Sequence, residues 1–280
     1  MTDALLRCVT CDAPLSGPFC ASCGEKRIAA DDLSFRHFFE HTLESFTHID
    51  GKVFATVRAL VGTPGQLTAD YFRGRRKPYL GPIQLFLVAN VLFFAMQSMT
   101  QTDIAGAPLD SHLHRQDWSA FAQALVAQRL EAGLTTLDKY TPVFDQAVGL
   151  NAKSLIVLMV LPLAMCLPVA FYRERRPFVA HAVFSLHFYA FLLLLFCFSL
   201  AVAGMDALFG GEGLNSSRMD NVLSVLNLSV AALYLYVAIG TFYGARGIGR
   251  LLKALVLAIA VAAILLGYRF AIFLITLYST

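Results

Sequence analysis

The sequence predicts an all-α integral membrane protein, and three features of its composition and order carry that prediction. Of the 280 residues, 57% are hydrophobic and 15% are charged, whereas about a quarter of a soluble domain is usually charged. Apolar stretches long enough to cross a bilayer follow one another from residue 82 onward. A short cysteine-rich segment precedes them. We therefore expect a small N-terminal head, amphipathic helices and a membrane body with about five transmembrane helices.

The head is predicted to span residues 1–27 and contains two Cys-x-x-Cys pairs, Cys8 with Cys11 and Cys20 with Cys23. Each pair places two sulfur atoms on one side of a tight turn. Two such turns facing each other form a tetrahedral thiolate cage, which suits Zn²⁺. Because the head is too short to bury a useful core, the metal would supply most of its folding energy. We therefore predict a zinc-ribbon-like head with a structural zinc ion.

The residues after each pair fit such turns. Gly24 follows the second pair, where positive φ is needed, and Asp12 holds the matching place after the first. Disulfides, a redox dithiol and an iron–sulfur cluster are the alternatives. Disulfides need an oxidising compartment, a redox dithiol needs a βαβ context, and the paired spacing favours zinc over iron–sulfur. Since four protein ligands leave no open coordination position, we expect a structural or partner-binding role and no catalysis.

Residues 34–80 are predicted to form cytoplasmic amphipathic helices at the membrane surface. The apolar residues between Phe35 and Ile49 recur at helical spacing, which indicates a helix with an aromatic face. Its opposite face carries His37, His41 and His48, whose spacing also suits ligands of a second metal. We favour a solvated or headgroup-facing surface for these histidines, because a polar stripe is the ordinary property of an amphipathic helix.

Four cations directly precede the first long apolar run: Arg73, Arg75, Arg76 and Lys77. Such a cluster holds its side of the membrane in the cytoplasm, and it can pair with anionic lipid headgroups. We favour a plain topology anchor at the membrane interface. A specific site for a phosphate or a lipid headgroup is the alternative.

The membrane domain is predicted over residues 82–278. Its spans are expected at about 82–99, 154–172, 178–203, 222–243 and 251–272. The outside loop at 100–153 contains helical apolar stripes that either lie along the outer surface or cover the bundle. We expect His112 and His114 in this loop to be solvated.

Three polar side chains fall inside the predicted spans. Asn90 and Gln97 are seven residues apart and share one helix face, so we expect them to hydrogen-bond across helices. A polar pathway is the alternative for this pair. His187 lies well inside the third span, where it either hydrogen-bonds a neighbouring helix or serves a catalytic or proton-relay group.

The distribution of cations predicts the orientation. They concentrate before residue 82, in the 173–176 loop and in the 246–253 segment, which five spans put on one side of the membrane. The positive-inside rule makes that side cytoplasmic, so we expect a cytoplasmic N-terminus and a C-terminus outside, in the periplasm. The lipid bilayer is the expected partner, and a net charge of only +3 gives no reason to expect nucleic-acid binding.

Several short motifs occur together in this chain. They include Cys20-x-x-Cys23-Gly24-Glu25-Lys26, Thr63-Pro64-Gly65, Tyr71-Phe72-Arg73-Gly74 and His181-x-x-Phe184. On these motifs the chain resembles the bacterial membrane proteins grouped as domain of unknown function family 3667. Asp12 departs from the glycine often found after the first pair. The resemblance implies a zinc-ribbon head on a multi-span bacterial inner-membrane protein, and it implies no known activity.

Three functions fit these features. We favour a membrane-anchored binding or regulatory module whose cytoplasmic head recruits a protein partner, because the one strong chemical motif is a closed structural site. The alternative is a small transporter or lipid-handling protein with a path lined by Asn90, Gln97 and His187. A membrane enzyme ranks last, since the sequence has no paired nucleophile and base, no phosphate-cradling loop and no open metal site.

Overall fold

The computed structural model describes residues 7–27, 51–100, 106–211 and 213–280. The predicted amphipathic helix that carries His37, His41 and His48 lies outside these ranges. Within them, the only extended pairing consists of isolated backbone bridges in the head, and all regular structure beyond it is helical. The predicted all-α class is therefore confirmed for the residues described.

Ten α-helices lie in the described parts of the chain, and we number them in chain order. They are α1 (Lys52–Gly62), α2 (Gln66–Arg73), α3 (Pro82–Thr100), α4 (Leu109–His114), α5 (Ser119–Gly133), α6 (Leu137–Leu155), α7 (Val160–Ala170), α8 (Phe178–Leu208), α9 (Ser217–Tyr243) and α10 (Gly247–Ser279). A 3₁₀ segment, Ile156–Met159, joins α6 to α7.

Five helical stretches in the described residues are long and apolar enough to cross a membrane. They are Pro82–Thr100, Leu137–Ala170, Phe178–Leu208, Arg218–Tyr243 and Gly247–Ser279. This number agrees with the sequence prediction, and the chain is a multi-pass membrane protein by the length and composition of these helices. The central stretch, α8, contributes the largest share of buried residues, because neighbouring helices cover much of its surface.

The second stretch begins well before the predicted residue 154. Its helix starts at Leu137, and Tyr140, Phe144 and Val148 form a buried stripe along its first turns. Their spacing of four residues keeps them on one helix face, which packs against α10. The polar residues between them are typical of a loop, although the apolar stripe continues directly into the span.

One end of the bundle carries the basic loops, and we call it the basic end. It contains the 173–176 loop and the start of α10, which meet the last turn of α9. Arg176 Nη2 donates to the Phe242 carbonyl at 2.8 Å, and Lys253 Nζ lies 4.4 Å from the centre of the Phe171 ring. These contacts bring the predicted inside cations to a single end of the molecule.

Helices α1 and α2 pack onto this basic end. Gly65, in the turn between them, has a φ of 83°, and a Cβ there would meet the backbone of Ala238 in α9. Thr68 of α2 hydrogen-bonds the ring of His187 in α8 at 2.8 Å. Glycine is therefore required at position 65 both for its conformation and for the close approach of two helices.

Helices α4 and α5 and the start of α6 lie at the opposite end of the bundle. There His112 is 1% exposed, which corrects the prediction that it is solvated. The indole N–H of Trp118 donates to its Nδ1 at 3.3 Å, and the Phe273 ring lies 4.8 Å away. His112 is buried because its ring joins an aromatic cluster, whereas His114, on the exposed side of the same helix, pairs with Asp110.

Candidate metal centre

The head consists of two turns with the same backbone hydrogen bonds. In the first turn the Cys8 N–H donates to the Ala13 carbonyl at 2.8 Å, and the Asp12 N–H donates to the Cys8 carbonyl at 2.9 Å. The second turn repeats both bonds twelve residues later, at 2.9 and 2.8 Å. The residues at the matching corner, Asp12 and Gly24, have φ values of 59° and 69°. The conformation that the sequence required after each pair is therefore present in both turns.

The four sulfur atoms converge between these turns. Cys8 lies 3.5 Å from Cys23, and Cys11 lies 3.5 Å from Cys20, measured between Sγ atoms. All four atoms fall within 4.8 Å of one another. Four sulfurs held about 2.3 Å from a tetrahedral ion are about 3.8 Å apart, so this cluster has the size of a metal site. The four predicted cysteines can therefore hold one metal ion together.

The backbone around the cluster favours thiolates. Hydrogen bonding from the backbone of Cys23 is the main cause that lowers the pKa of the Cys20 thiol to about 6, and Ser22 contributes in the same direction. Metal ligation requires the deprotonated sulfur. The turn thus prepares Cys20 for metal binding near neutral pH, whereas the pKa values of the Cys11 and Cys23 thiols are raised in this cluster.

A buried carboxylate fastens the head to the membrane domain. Glu25 is 5% exposed, and its Oε2 accepts a hydrogen bond from the Thr10 hydroxyl at 2.6 Å. The same oxygen accepts the backbone N–H of Lys77 at 3.0 Å. A Cβ added at Gly24 would meet Nζ of Lys77, so the second turn approaches this residue closely. One carboxylate oxygen therefore joins both turns of the head to the segment that leads into α3.

The predicted basic cluster is organised by Asp70 of α2. This carboxylate is 4% exposed and accepts a hydrogen bond from Gln66 Nε2 at 2.7 Å. Arg73 and Arg75 approach it at 3.6 and 4.0 Å, and the Tyr79 hydroxyl donates to it at 3.4 Å. Both arginines remain exposed at the surface. The cluster is thus a folded turn around an acid as well as a set of surface cations.

Arg76 occupies the inner side of the same turn. Its guanidinium lies 4.3 Å from the centre of the Tyr71 ring, and its Nε donates to the Tyr71 carbonyl at 3.1 Å. Its buried Nη2 has no hydrogen-bond partner among the described residues. A cavity of about 20 Å³ lies beside it and reaches His187. That volume suits one water molecule and is too small for a phosphate group.

The intramembrane candidates do not gather at one place. His187 is buried and contacts Thr68 near the basic end. Gln97 is buried further along α3, and its Oε1 has no hydrogen-bond partner in the part of the chain that the structure describes. Asn90 is half-buried on the same helix. Their roles as interhelical partners or as a pathway stay predictions.

Sequence reasoning gave no role to the two acids that organise this region, Glu25 and Asp70. Glu25 appeared only as part of a motif, although an acid next to a Cys-x-x-Cys-Gly turn and far from other acids is a usable signal. Asp70 follows Gln66 by one helical turn and precedes the cations, which is the spacing of a side-chain pair on one helix face. The partners of Glu25, however, are Thr10, which is distant in sequence, and Lys77, which bonds through its backbone, and no side-chain pattern reveals either contact.

One stretch of the chain is similar to a known protein family. Residues 50–94 match the model of a family described as "Protein of unknown function (DUF3667)". The resemblance is therefore confirmed over this stretch. No curated protein and no solved structure matches the chain.

The matched stretch covers the helices that connect the head to the first span, and most of that span. It contains α1, α2, the basic cluster and most of α3. These are the elements on which the head docks and which themselves pack against α8 and α9. The resemblance thus falls on the helices between the head and the bundle and on most of the first span, and the four cysteines lie before it.

Proposed function

We propose that this protein is a membrane-anchored regulatory module of the bacterial inner membrane, in which a zinc-folded cytoplasmic head docks on the basic end of the helical bundle. The head would bind a protein partner on the cytoplasmic side. Its docking would couple the partner or the metal to the conformation of α1 and α2. The orientation, with residues 1–27 in the cytoplasm and residue 280 in the periplasm, follows from the positive-inside distribution.

Zinc is the ion that this ligand set favours. Four thiolates at tetrahedral spacing suit Zn²⁺, and a reducing cytoplasm would keep the cysteines from forming disulfides. All four positions of the ion would be filled by protein, so no site remains for a substrate or an activated water. The zinc would therefore act by folding the head.

The observation that carries the proposal is the shared oxygen of Glu25. It accepts hydrogen bonds from Thr10 inside the head and from the Lys77 backbone outside it. Since Glu25 immediately follows the second Cys-x-x-Cys turn, loss of the metal would displace this carboxylate. The Lys77 N–H would then lose its acceptor, and the segment before α3 would loosen.

The surface of the head also suits a protein partner. Val9 and Phe19, one in each half of the head, are 56% and 57% exposed. Neither residue takes part in the Glu25 contact or in the cysteine cluster. We propose that these two side chains contact the partner, so that docking and recruitment use different parts of the head.

Hydrogen exchange on the full-length protein tests the docking step. Removing zinc with a chelator, or introducing Glu25→Ala, should increase exchange at the Lys77 amide by about tenfold or more, because a charged acceptor is lost. The Leu109 amide is the matched control, since it also donates to a carboxylate, that of Asp145, but at the opposite end of the bundle. Unchanged exchange at Lys77 in both samples would contradict the coupling.

Metal analysis of the same preparation tests the ion. Wild-type protein and the Cys166→Ser control should each retain one zinc per chain, whereas Cys8→Ser should lose it, because Cys166 lies in α7 and outside the cluster. Iron with acid-labile sulfide would instead establish a cluster, and absence of bound metal in the wild type would refute the zinc head.

Affinity purification from native membranes tests recruitment. Partners captured by the full chain should be lost on deletion of residues 1–30 and reduced by Phe19→Ser, which leaves the cysteines and Glu25 intact. If the deleted chain kept every partner and the cellular phenotype, the regulatory proposal would be wrong.

A lipid-handling role is the second candidate, and a cavity between the spans favours it. This cavity has a volume of about 470 Å³ and lies among α3, the α6–α7 junction, α8, α9 and α10. Flux of labelled lipid in proteoliposomes would support this role, and its absence across a broad panel of lipids would argue against it.

A further inference from the structure

The large cavity has a polar end and an apolar end. Its wall on α9 is a single stripe that begins with Asp220, Ser224 and Asn227 and continues to Leu228 and Ala231. These positions follow helical spacing over about 16 Å, at 1.5 Å per residue. Leu223 is the one apolar residue among the polar members, and the lining residues beyond Asn227 are all apolar, so the character of the wall changes along the helix.

Helix α10 repeats this arrangement on the facing wall. Arg269 stands at one end of its stripe, and Leu265, Ala262 and Val261 line the remainder. The distance from Arg269 to Val261 along the helix is about 12 Å. Since α9 and α10 run in opposite directions, Arg269 and Asp220 lie at the same end of the cavity. The two walls together form an amphipathic chamber.

Arg269 lies at the depth of a membrane boundary. It follows Gly247, the first residue of α10, by 22 residues, or about 33 Å of helix. The hydrocarbon core of a bilayer is about 30 Å thick. The guanidinium is therefore at the boundary opposite the basic end, while the apolar part of the chamber reaches inward from it.

Hydrogen bonding within the described protein leaves part of the Arg269 guanidinium without an acceptor, although the charge of Asp220 attracts it. Its Nε is buried and has no hydrogen-bond partner among the described residues. Asp220 also lines this end, but it is exposed on the rim and forms no ion pair with Arg269 in the described structure. The nearby amide oxygen of Asn227 already accepts a hydrogen bond from Ser199 at 2.8 Å. A buried donor of a charged group without an acceptor is costly, and an anionic ligand would supply one.

We propose that this chamber binds one acyl chain of an amphiphile whose head carries a carboxylate or a phosphate. The anionic group pairs with Arg269, and the chain lies along Leu265, Ala262 and Ala231 towards the middle of the bilayer. The exposed carboxylate of Asp220 allows an amine on the same head to approach from the rim. The volume of about 470 Å³ falls in the range of ligand sites, roughly 300–1,000 Å³.

This inference is independent of the zinc head, because it concerns the opposite end of the bundle. Binding at the chamber also does not require transport, so the absence of lipid flux would leave it standing. It sharpens the lipid-handling candidate by naming the ligand class and the residue that recognises its charge.

The test uses delipidated full-length protein in a neutral maltoside detergent and measures ligand binding by native mass spectrometry and titration. The probes are hexadecanoate, a lysophosphatidic acid of the same chain length, and the neutral analogue hexadecanol. Wild type should bind one molecule of an anionic probe at least about tenfold more tightly than hexadecanol, because only the anions pair with Arg269. Preference between the two anions distinguishes a fatty acid from a phospholipid source.

Two pairs of variants test recognition of the charged head and of the acyl chain separately. Arg269→Gln should remove the preference for anionic probes, and Arg218→Gln, an exposed arginine of α9 outside the chamber, should retain it. Ala262→Phe should fill the chamber and weaken all probes, whereas Ala263→Phe, on the exposed neighbouring position, should not. If Ala262→Phe is not monodisperse, Leu228→Phe serves in its place.

Two outcomes would overturn the inference. One is equal affinity of the wild type for hexadecanoate and hexadecanol, which would mean that no charged group is recognised. The other is an unchanged preference for anionic probes in Arg269→Gln, which would place the site elsewhere.

Discussion

The buried arginines at the two ends of the helical bundle have different surroundings. At the basic end, His181 bonds the Tyr243 hydroxyl at 2.7 Å, and Arg176 and Arg250 both donate to carbonyls near the C-terminus of α9. At the opposite end, Arg269 faces a cavity and its Nε has no acceptor among the described residues. Arg176 and Arg250 thus bind helix carbonyls and stabilise the fold. Arg176 Nε and Arg76 Nη2 also have no hydrogen-bond partner among the described residues, but only Arg269 among these arginines lines the large cavity.

The basic end also supports α1 and α2, which precede the segment where the head docks. Arg176 and Arg250 satisfy carbonyl groups that the end of a helix leaves without partners, which favours cations at that position. The resulting surface is polar and closely fitted, and α1 and α2 lie on it. A small head with few contacts of its own can be fixed there by a single carboxylate.

The largest expected effect comes from Gly65→Ala at the basic end. The substitution forces a side chain into a left-handed conformation and against the Ala238 backbone, which should cost about 2–5 kcal/mol of stability. Gly62→Ala is the control, because nothing lies within 4 Å of its Cβ position. Thermal unfolding in detergent should show a large loss for the first variant and none for the second. Equal behaviour would mean that α2 does not pack closely on α9.

The opposite end should show a pH dependence through His112. Burial, with a further contribution from Arg269, lowers the pKa of His112 from 6.5 to about 4. Between these values the unfolded chain binds a proton that the folded chain does not. Stability should therefore fall as the pH drops from about 6.5 to 4, by up to about 3 kcal/mol.

Thermal unfolding across pH 4 to 7 checks this expectation, with variants of the two neighbouring histidines. His112→Gln should flatten the pH profile, whereas His114→Gln should not, because His114 is exposed and only pairs with Asp110. A profile that stays unchanged in His112→Gln would show that other groups set the acid sensitivity.

A smaller effect is expected from Thr68→Val at the basic end. The substitution keeps the shape of the side chain but leaves the buried His187 ring without this hydrogen bond, at a cost of about 1–3 kcal/mol. Thr241→Val is matched to it, since that exposed hydroxyl bonds only its own helix. Equal unfolding temperatures of the two variants would show that the Thr68–His187 hydrogen bond does not stabilise the basic end.

Much of the architecture was predictable because it depends on local patterns. The spans follow from apolar length, and the corner conformations of Asp12 and Gly24 follow from the turns that two cysteine pairs require. The early start of the second span was missed because its buried stripe of Tyr140, Phe144 and Val148 is interrupted by polar residues. The helix face that these residues share is local, but the partner helix α10 lies more than a hundred residues away.

The contacts that were not predictable depend on distant or backbone partners. Glu25 bonds a main-chain N–H at position 77, and a backbone donor leaves no trace in composition. His112 is buried by Trp118 and by Phe273 at the other end of the chain. Similarly, the cavity beside Arg269 arises from the packing of several spans, and no single span shows it.

The repeated turns of the head have one more consequence. A small unit made of two nearly equivalent halves has no inherent reason to attach by one half and not the other. Here the equivalence is broken at two adjacent positions. Asp12 carries a side chain that pairs with Arg7, whereas Gly24 has none and admits Lys77, and Ala13 in the first half corresponds to Glu25 in the second, which accepts the Lys77 N–H. The half of the head that attaches is thus set by two residues beside the cysteines, and the four cysteines themselves are the same in both halves.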